Sequence, residues 1–164
     1  MQTNINQSQV NIGISADGVQ QIAGILNAIL ADEFNLRLKT KNFHWNVTGP
    51  HFSEYHKLFD DQAEMLEEII DDTAERVRAL NVHSIGSMEE YLEHTRLTEN
   101  TDRNVEDQNM LKELLSDHEA IIRQLRKDIE TCEQLGDAGN ADYLTATMEA
   151  HEKMAWMLRA SAVK

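Results

Sequence analysis

Histidine and carboxylate side chains recur at helical spacing through the second quarter of the chain. His44 opens the series, within Asn42-Phe43-His44-Trp45-Asn46-Val47-Thr48-Gly49-Pro50, and His56, Asp60, Asp71 and Glu75 continue it. Imidazole and carboxylate together are a ligand set for iron or zinc. At about 100° per residue, His56 and Asp60 lie about 40° apart on one helix face. Asp71 and Glu75 repeat that step, and all four fall within an arc of about 100°. One face of one helix therefore carries two ligand pairs.

The two pairs are too far apart to serve one site within a chain. From His56 to Glu75 the helix axis advances about 28 Å, at ~1.5 Å per residue, whereas metals of a dinuclear site lie only ~3.5–4 Å apart. Two copies of the helix, antiparallel about a two-fold axis near Met65 and Leu66, bring each His56/Asp60 end against a partner's Asp71/Glu75 end. Symmetric dimers are the commonest oligomers. The spacing predicts two equivalent metal sites at a subunit interface.

The pattern Asn-Phe-His-Trp-Asn-Val-x-Gly, followed by His56, by Asp60 and then by Asp71-Asp72-Thr73-Ala74-Glu75-Arg76, resembles the Dps family, ferritin-like mini-shells described as DNA-binding proteins of starved cells. The resemblance covers nearly the whole chain. It implies an all-α, ferritin-like four-helix bundle, with a short extra helix between the second and third long ones, assembled through two-fold dimers into a shell of twelve. It implies that His44, His56, Asp60, Asp71 and Glu75 are the catalytic ligands of an interfacial ferroxidase site holding iron, two ions per site at most. The reaction it implies is oxidation of ferrous to ferric iron by hydrogen peroxide, or by oxygen. Asp137 and Asp142 match residues that line a three-fold cation pore in the family, and Trp45 and Trp156 match tryptophans that intercept radicals near the site. Many family members bind DNA through a lysine-bearing N-terminal tail, and here the pattern differs, because residues 1–14 contain no Lys, Arg, Asp or Glu.

Composition sets the bounds. A chain of 164 residues suits one domain with a sizeable core. One proline, seven glycines and few aromatics favour helix over sheet. The single cysteine, Cys132, excludes an intrachain disulfide. No apolar run approaches the ~18 residues of a membrane span, and the first residues show no secretory pattern, so a soluble cytoplasmic protein without a membrane partner is expected. The net charge of −14 argues against direct DNA binding, which needs clustered Lys and Arg.

Residues 1–14 read as a flexible tail and 15–164 as the bundle domain. Ser15 suits the cap of a first helix to about Val47, with Val19, Ile22, Leu26 and Ile29 as its apolar stripe. Thr48-Gly49-Pro50 breaks the chain before a second helix to about Leu80. Ser87 and Glu90 form a capping box for a short helix to roughly Thr95. A third long helix is expected from Asn104 with Asp107, and Gly136 to Asn140 separates it from a fourth. Glu64 and Glu67 share the ligand face; they read as a solvated face or as an acidic wall on which ferric oxide nucleates. His51, His83 and His94 read as ordinary surface or core residues. His118 and His151 fall near apolar seams, and with Asp117, Glu149 and Glu152 would make a second site. Large aromatics such as Trp45 and Trp156 are ordinarily core.

Three other readings compete. An ordinary ferritin uses Glu-x-x-His steps, which this chain lacks. A nucleoid DNA-binding protein with little ferroxidase activity conflicts with the acidic balance. A structural zinc interface would use the same ligands, and metal analysis with a ferrous oxidation assay separates it from the iron reading.

Overall fold

The computed structural model describes residues 10–162. Ser15 accepts the N–H of Gly18 at 3.1 Å and starts α1, Ala16–Asn46. Gly49, at φ +118°, turns the chain where a side chain would be strained, and α2 runs Phe52–Ala79. α3, Met88–His94, opens on the expected capping box between Ser87 and Glu90. α4 spans Asp107–Gln134 and α5 spans Ala138–Ser161, so the described residues are all helix and connection. Of the expected tail, residues 1–9 lie outside the described residues, whereas Val10 and Ile14 pack against the core.

Two boundaries differ from expectation. α4 begins at Asp107 rather than at Asn104, because Asp102 holds the Asn104 N–H at 2.9 Å in a turn that competes with helix. The last break is also shorter than expected. Gly136, at φ +79°, makes the turn, and Asp137 caps α5 by accepting the Asn140 N–H at 2.9 Å. Gly139 and Asn140 therefore lie inside the first turn of α5.

α1 packs along α2 and α4 packs along α5, giving two antiparallel hairpins that face each other across the core. Leu26, Ile29, Phe43, Phe59, Leu66, Leu114, Leu125 and Leu158 fill that core at under 2 % exposure. α3 lies on α1, where Tyr91 stacks on Phe34 with ring centres 4.2 Å apart. Polar ties join the hairpins: Gln62 donates to the Met154 carbonyl at 3.1 Å, Tyr143 meets Thr73 at 2.6 Å, and Arg76 donates to Asn140 at 2.5 Å. The segment after α3 is clamped by Arg96 on Asp32 and Asp128, and by Lys39 on Asp117 and the Thr98 carbonyl. Burial raises the Asp117 carboxyl from its ordinary value despite the lysine beside it.

Candidate metal centre

Helix periodicity brings the end of α1 beside the start of α2, and there His44 and His56 meet. Their rings stack with centres 3.8 Å apart and planes 21° from parallel. Each Nδ1 lies 2.8 Å from the other residue's main-chain oxygen. A carbonyl only accepts, so both Nδ1 atoms carry the proton, and both Nε2 atoms keep a free lone pair. This is the outer bonding that orients a metal-ligating imidazole. Phe52 covers the other side of the His56 ring at 5.0 Å.

Asp60, one turn beyond His56, places Oδ1 3.7 Å from His44 Nε2. The same oxygen accepts a hydrogen bond from Lys41 at 2.7 Å. That bond, helped by the positive charge of Lys41, holds the Asp60 carboxyl below its ordinary value, although desolvation works the other way. Lys41 also lies 5.9 Å from the centre of the Trp45 ring. A cation already occupies the carboxylate end of this half-site.

Asp71 and Glu75 sit far along α2 and are exposed, Glu75 beside Asp72, Arg76, Ala79 and Tyr143. Among the described residues of one chain, no three His, Cys, Asp or Glu side chains come close enough to hold a metal. The structure therefore brings His44 beside His56 and beside Asp60, in two pairwise contacts that do not make a metal-holding group within one chain, and leaves Asp71 and Glu75 apart. Glu64 and Glu67 are exposed on the same helix, and Glu67 pairs with Arg37. Asp137 spends both carboxylate oxygens on Asn140, one on its N–H and one on its side-chain amide at 2.6 Å. Asp142 is exposed in an open hollow with Glu133, Ala138 and Thr145. Trp45 and Trp156 are 62 % and 61 % exposed, so neither is core in this chain.

The ferritin-like domain family matches residues 23–164. A low temperature-induced protein of Nostoc is 42 % identical over 152 residues, covering 92 % of this chain and 85 % of its own. The DNA protection during starvation protein of Helicobacter pylori is 32 % identical, covering 83 % of this chain and 94 % of its own. The chain belongs to the Dps family of ferritin-like proteins. Among solved structures, the Dps protein of Vibrio cholerae superposes with a TM-score of 0.87 at 28 % identity, covering 93 % of this chain and 96 % of that one. It is described as a member of a superfamily of ferritin-like diiron-carboxylate proteins.

For a Dps chain, two features lay outside the sequence reading. Lys41 on Asp60 is one; its signal was a lysine one turn before His44, which is also an ordinary surface pattern. The other is in the bundle core. His118 and His151 do meet, Nδ1 to Nδ1 at 2.8 Å, but not with Asp117, Glu149 or Glu152. Asp117 faces Lys39, Glu149 is exposed and Glu152 pairs with Arg126 on the surface. The partner is Glu33, whose Oε1 lies 2.8 Å from His151 Nε2. Cys132 is buried, and burial pushes its thiol up to about 11, which leaves no thiolate at neutral pH. None of the helices is long and apolar enough to cross a membrane, among the described residues.

Proposed function

We propose that this Dps protein takes up ferrous iron at sites shared between two copies of the chain, oxidises it, and stores the ferric product inside a shell of twelve. One observation carries the reading. The reciprocal Nδ1–H bonds of His44 and His56 to each other's backbone leave the Nε2 lone pair of each neutral ring for a metal, and that of His44 lies 3.7 Å from Asp60. Neutral imidazole with carboxylate suits iron, and the carboxylates favour the more highly charged ferric product. Asp71 and Glu75 complete the set from a partner chain, because they lie about 22 Å and about 28 Å from His56 along their own helix. That position also leaves them exposed.

Two ferrous ions each give one electron to one hydrogen peroxide; its O–O bond breaks, and with two protons two waters form. Oxygen is the other oxidant. Removing ferrous iron and peroxide together prevents hydroxyl-radical formation, which protects DNA without contact. Asp142 at the start of α5 serves cation entry, whereas the expected pore residue Asp137 is buried and spent on capping the helix. Glu64 and Glu67 serve mineral nucleation, and Trp45 with Trp156 intercepts stray radicals. Direct duplex binding is not part of this reading, given the net charge of −14. The protein works in the cytoplasm in this account.

The test is complementation. His56→Ala and Glu75→Ala chains, each inactive alone, are co-expressed. In a mixed dimer one site loses both ligands and the other is intact, so ferrous oxidation partly returns. Particle mass is measured on the same samples. Verified mixed shells without recovered activity overturn the shared site, and a stable monomer at micromolar concentration overturns the shell.

A further inference from the structure

Glu33 on α1, His118 on α4 and His151 on α5 are each at 0 % exposure, and none belongs to the iron site. They form one chain of contacts. Glu33 Oε1 lies 2.8 Å from His151 Nε2, and His151 Nδ1 lies 2.8 Å from His118 Nδ1. The first contact crosses from the α1–α2 hairpin to the α4–α5 hairpin. Glu33 Oε2 and His118 Nε2 are buried without a protein hydrogen-bond partner.

Proton placement follows from the geometry. Two nitrogens at 2.8 Å need one proton between them, and a lone buried carboxylate is costly. If His118, kept neutral by its burial, donated from Nδ1, both rings would be neutral and Glu33 would stand as an uncompensated anion in the core. If His151 Nδ1 donates to His118 Nδ1, one further proton lies in the Glu33–His151 contact and the array is neutral as a whole. His118 then carries its own proton on Nε2.

We propose that Glu33, His151 and His118 form a neutral, proton-loaded tie between the two helix hairpins, which opens when one more proton enters at His118. A proton added at His118 Nδ1 would point at the N–H of His151, removing the bond and placing excess positive charge in the core. Burial, and then the charge of His151, hold the His118 imidazole well below its ordinary value. Other elements offer no ready compensation. Asp32 on α1 is engaged by Arg96, and Lys39 on the same helix engages Asp117 of α4. From α5, the Tyr143 hydroxyl is held by Thr73, and burial, with the charge of Glu33 contributing, raises it from its ordinary value. The polar residues that α2 buries are Tyr55, Gln62 and Thr73, and Tyr55 is tied to Gln108 and the Ser161 carbonyl.

The sign is fixed by linkage. A histidine harder to protonate folded than unfolded binds fewer protons in the native state. Its contribution is therefore complete above the unfolded value of ~6.5 and is lost as pH falls below it, by up to tenfold in the folding constant per pH unit.

The experiment is denaturant unfolding of the full chain between pH 8 and pH 5, at fixed protomer concentration, beside His118→Asn. The asparagine carbonyl can accept from His151 and does not titrate. The expected result is a folding constant that falls up to tenfold more per pH unit in the wild type than in the variant, below about pH 6.5. Equal slopes overturn the proposal. Should the variant not fold, the imidazole nitrogen spectrum of histidine-labelled wild type decides. His118 should remain the Nε2–H form at pH 5.5; a ring titrating near ~6.5, or an Nδ1–H form, overturns it. Unfolding is repeated with zinc and with chelator. A stability set by zinc and abolished by His118→Asn would make the array a cation site instead and overturn the proton tie.

Discussion

The molecule uses histidine with carboxylate twice, and burial separates the outcomes. At the α1–α2 turn, His44 and His56 spend their Nδ1 protons on backbone carbonyls and keep both Nε2 atoms free next to a half-exposed Asp60. In the core, His151 uses both ring nitrogens on neighbours, Glu33 and His118, and the three residues lie entirely inside one chain. The first set is incomplete within one chain. The second is internally paired, so a cation would first have to break a hydrogen bond. Residue type therefore does not decide ligation; what decides it is whether the lone pair is already engaged.

The largest effect that would break this contrast is on stability. His151→Leu leaves Glu33 buried without its partner, and removing one member of such a pair costs about 3–5 kcal/mol. Replacing both, as Glu33→Leu with His151→Leu, should recover much of that loss, because an apolar pair of similar volume needs no charge compensation. Unfolding midpoints of the two single variants and the double variant form the cycle. A double variant worse than the sum of the singles would mean that the array is held for a ligand and not for packing.

On the open side the effect falls on chemistry. Asp60→Asn should slow ferrous oxidation by at least ~100-fold, since even an outer-sphere partner of a metal ligand is worth ~10–100-fold. The fold should be kept, because this carboxylate is at the surface, and circular dichroism with stopped-flow oxidation checks both at once. Full activity in this variant would remove Asp60 from the site.

The shared face of His56, Asp60, Asp71 and Glu75 was legible in the sequence because α2 is one uninterrupted helix, so spacing converts directly to direction. His56, Asp60, Asp71 and Glu75 needed only that conversion. Fold class, capping box and helix order were legible for the same local reason. Glu33 was not, because α1 is buried over much of its circumference and its periodicity does not say which neighbour each residue meets. Only packing brings Glu33 to a histidine 118 positions later. The tryptophans misled in the opposite direction. Trp45 follows the buried His44 and sits one step off the core face, while Trp156 follows the buried Ala155, and both point outward. Asn104 failed as a helix start because a single side-chain bond from Asp102 settles that turn.

A smaller effect sharpens how open the first site is. Lys41 holds Asp60 as a carboxylate but also occupies it. In Lys41→Met the carboxyl should rise toward its ordinary value. A carboxylate held low keeps its charge until the pH falls through its folded value, so the acid limit of ferrous binding should move to higher pH in the variant. At neutral pH, binding should instead tighten a few-fold, since the ammonium no longer competes. Ferrous titrations at two pH values read both shifts, and unchanged binding at both would show that Lys41 is a bystander.

The smallest effect lies one residue from the largest. Glu152 follows His151 on α5 and reaches Arg126 of α4 at 2.6 Å, joining the same two helices as His151 and His118. Here the side chains are 42 % and 60 % exposed. Water screens the attraction, and two long side chains lose freedom to form it, so such pairs are worth about 0.2–1 kcal/mol. Glu152→Gln should therefore cost no more than about 0.5 kcal/mol, and 0.5 M salt should erase the difference, because the screening length is then shorter than ~8 Å. The cost of His151→Leu should hardly change with salt, since the core admits no ions. Unfolding curves at low and high salt, run on both variants, place the two ties on one scale. A Glu152 variant as damaged as the His151 variant would mean that helix pairing, and not burial, sets the worth of a charge in this bundle.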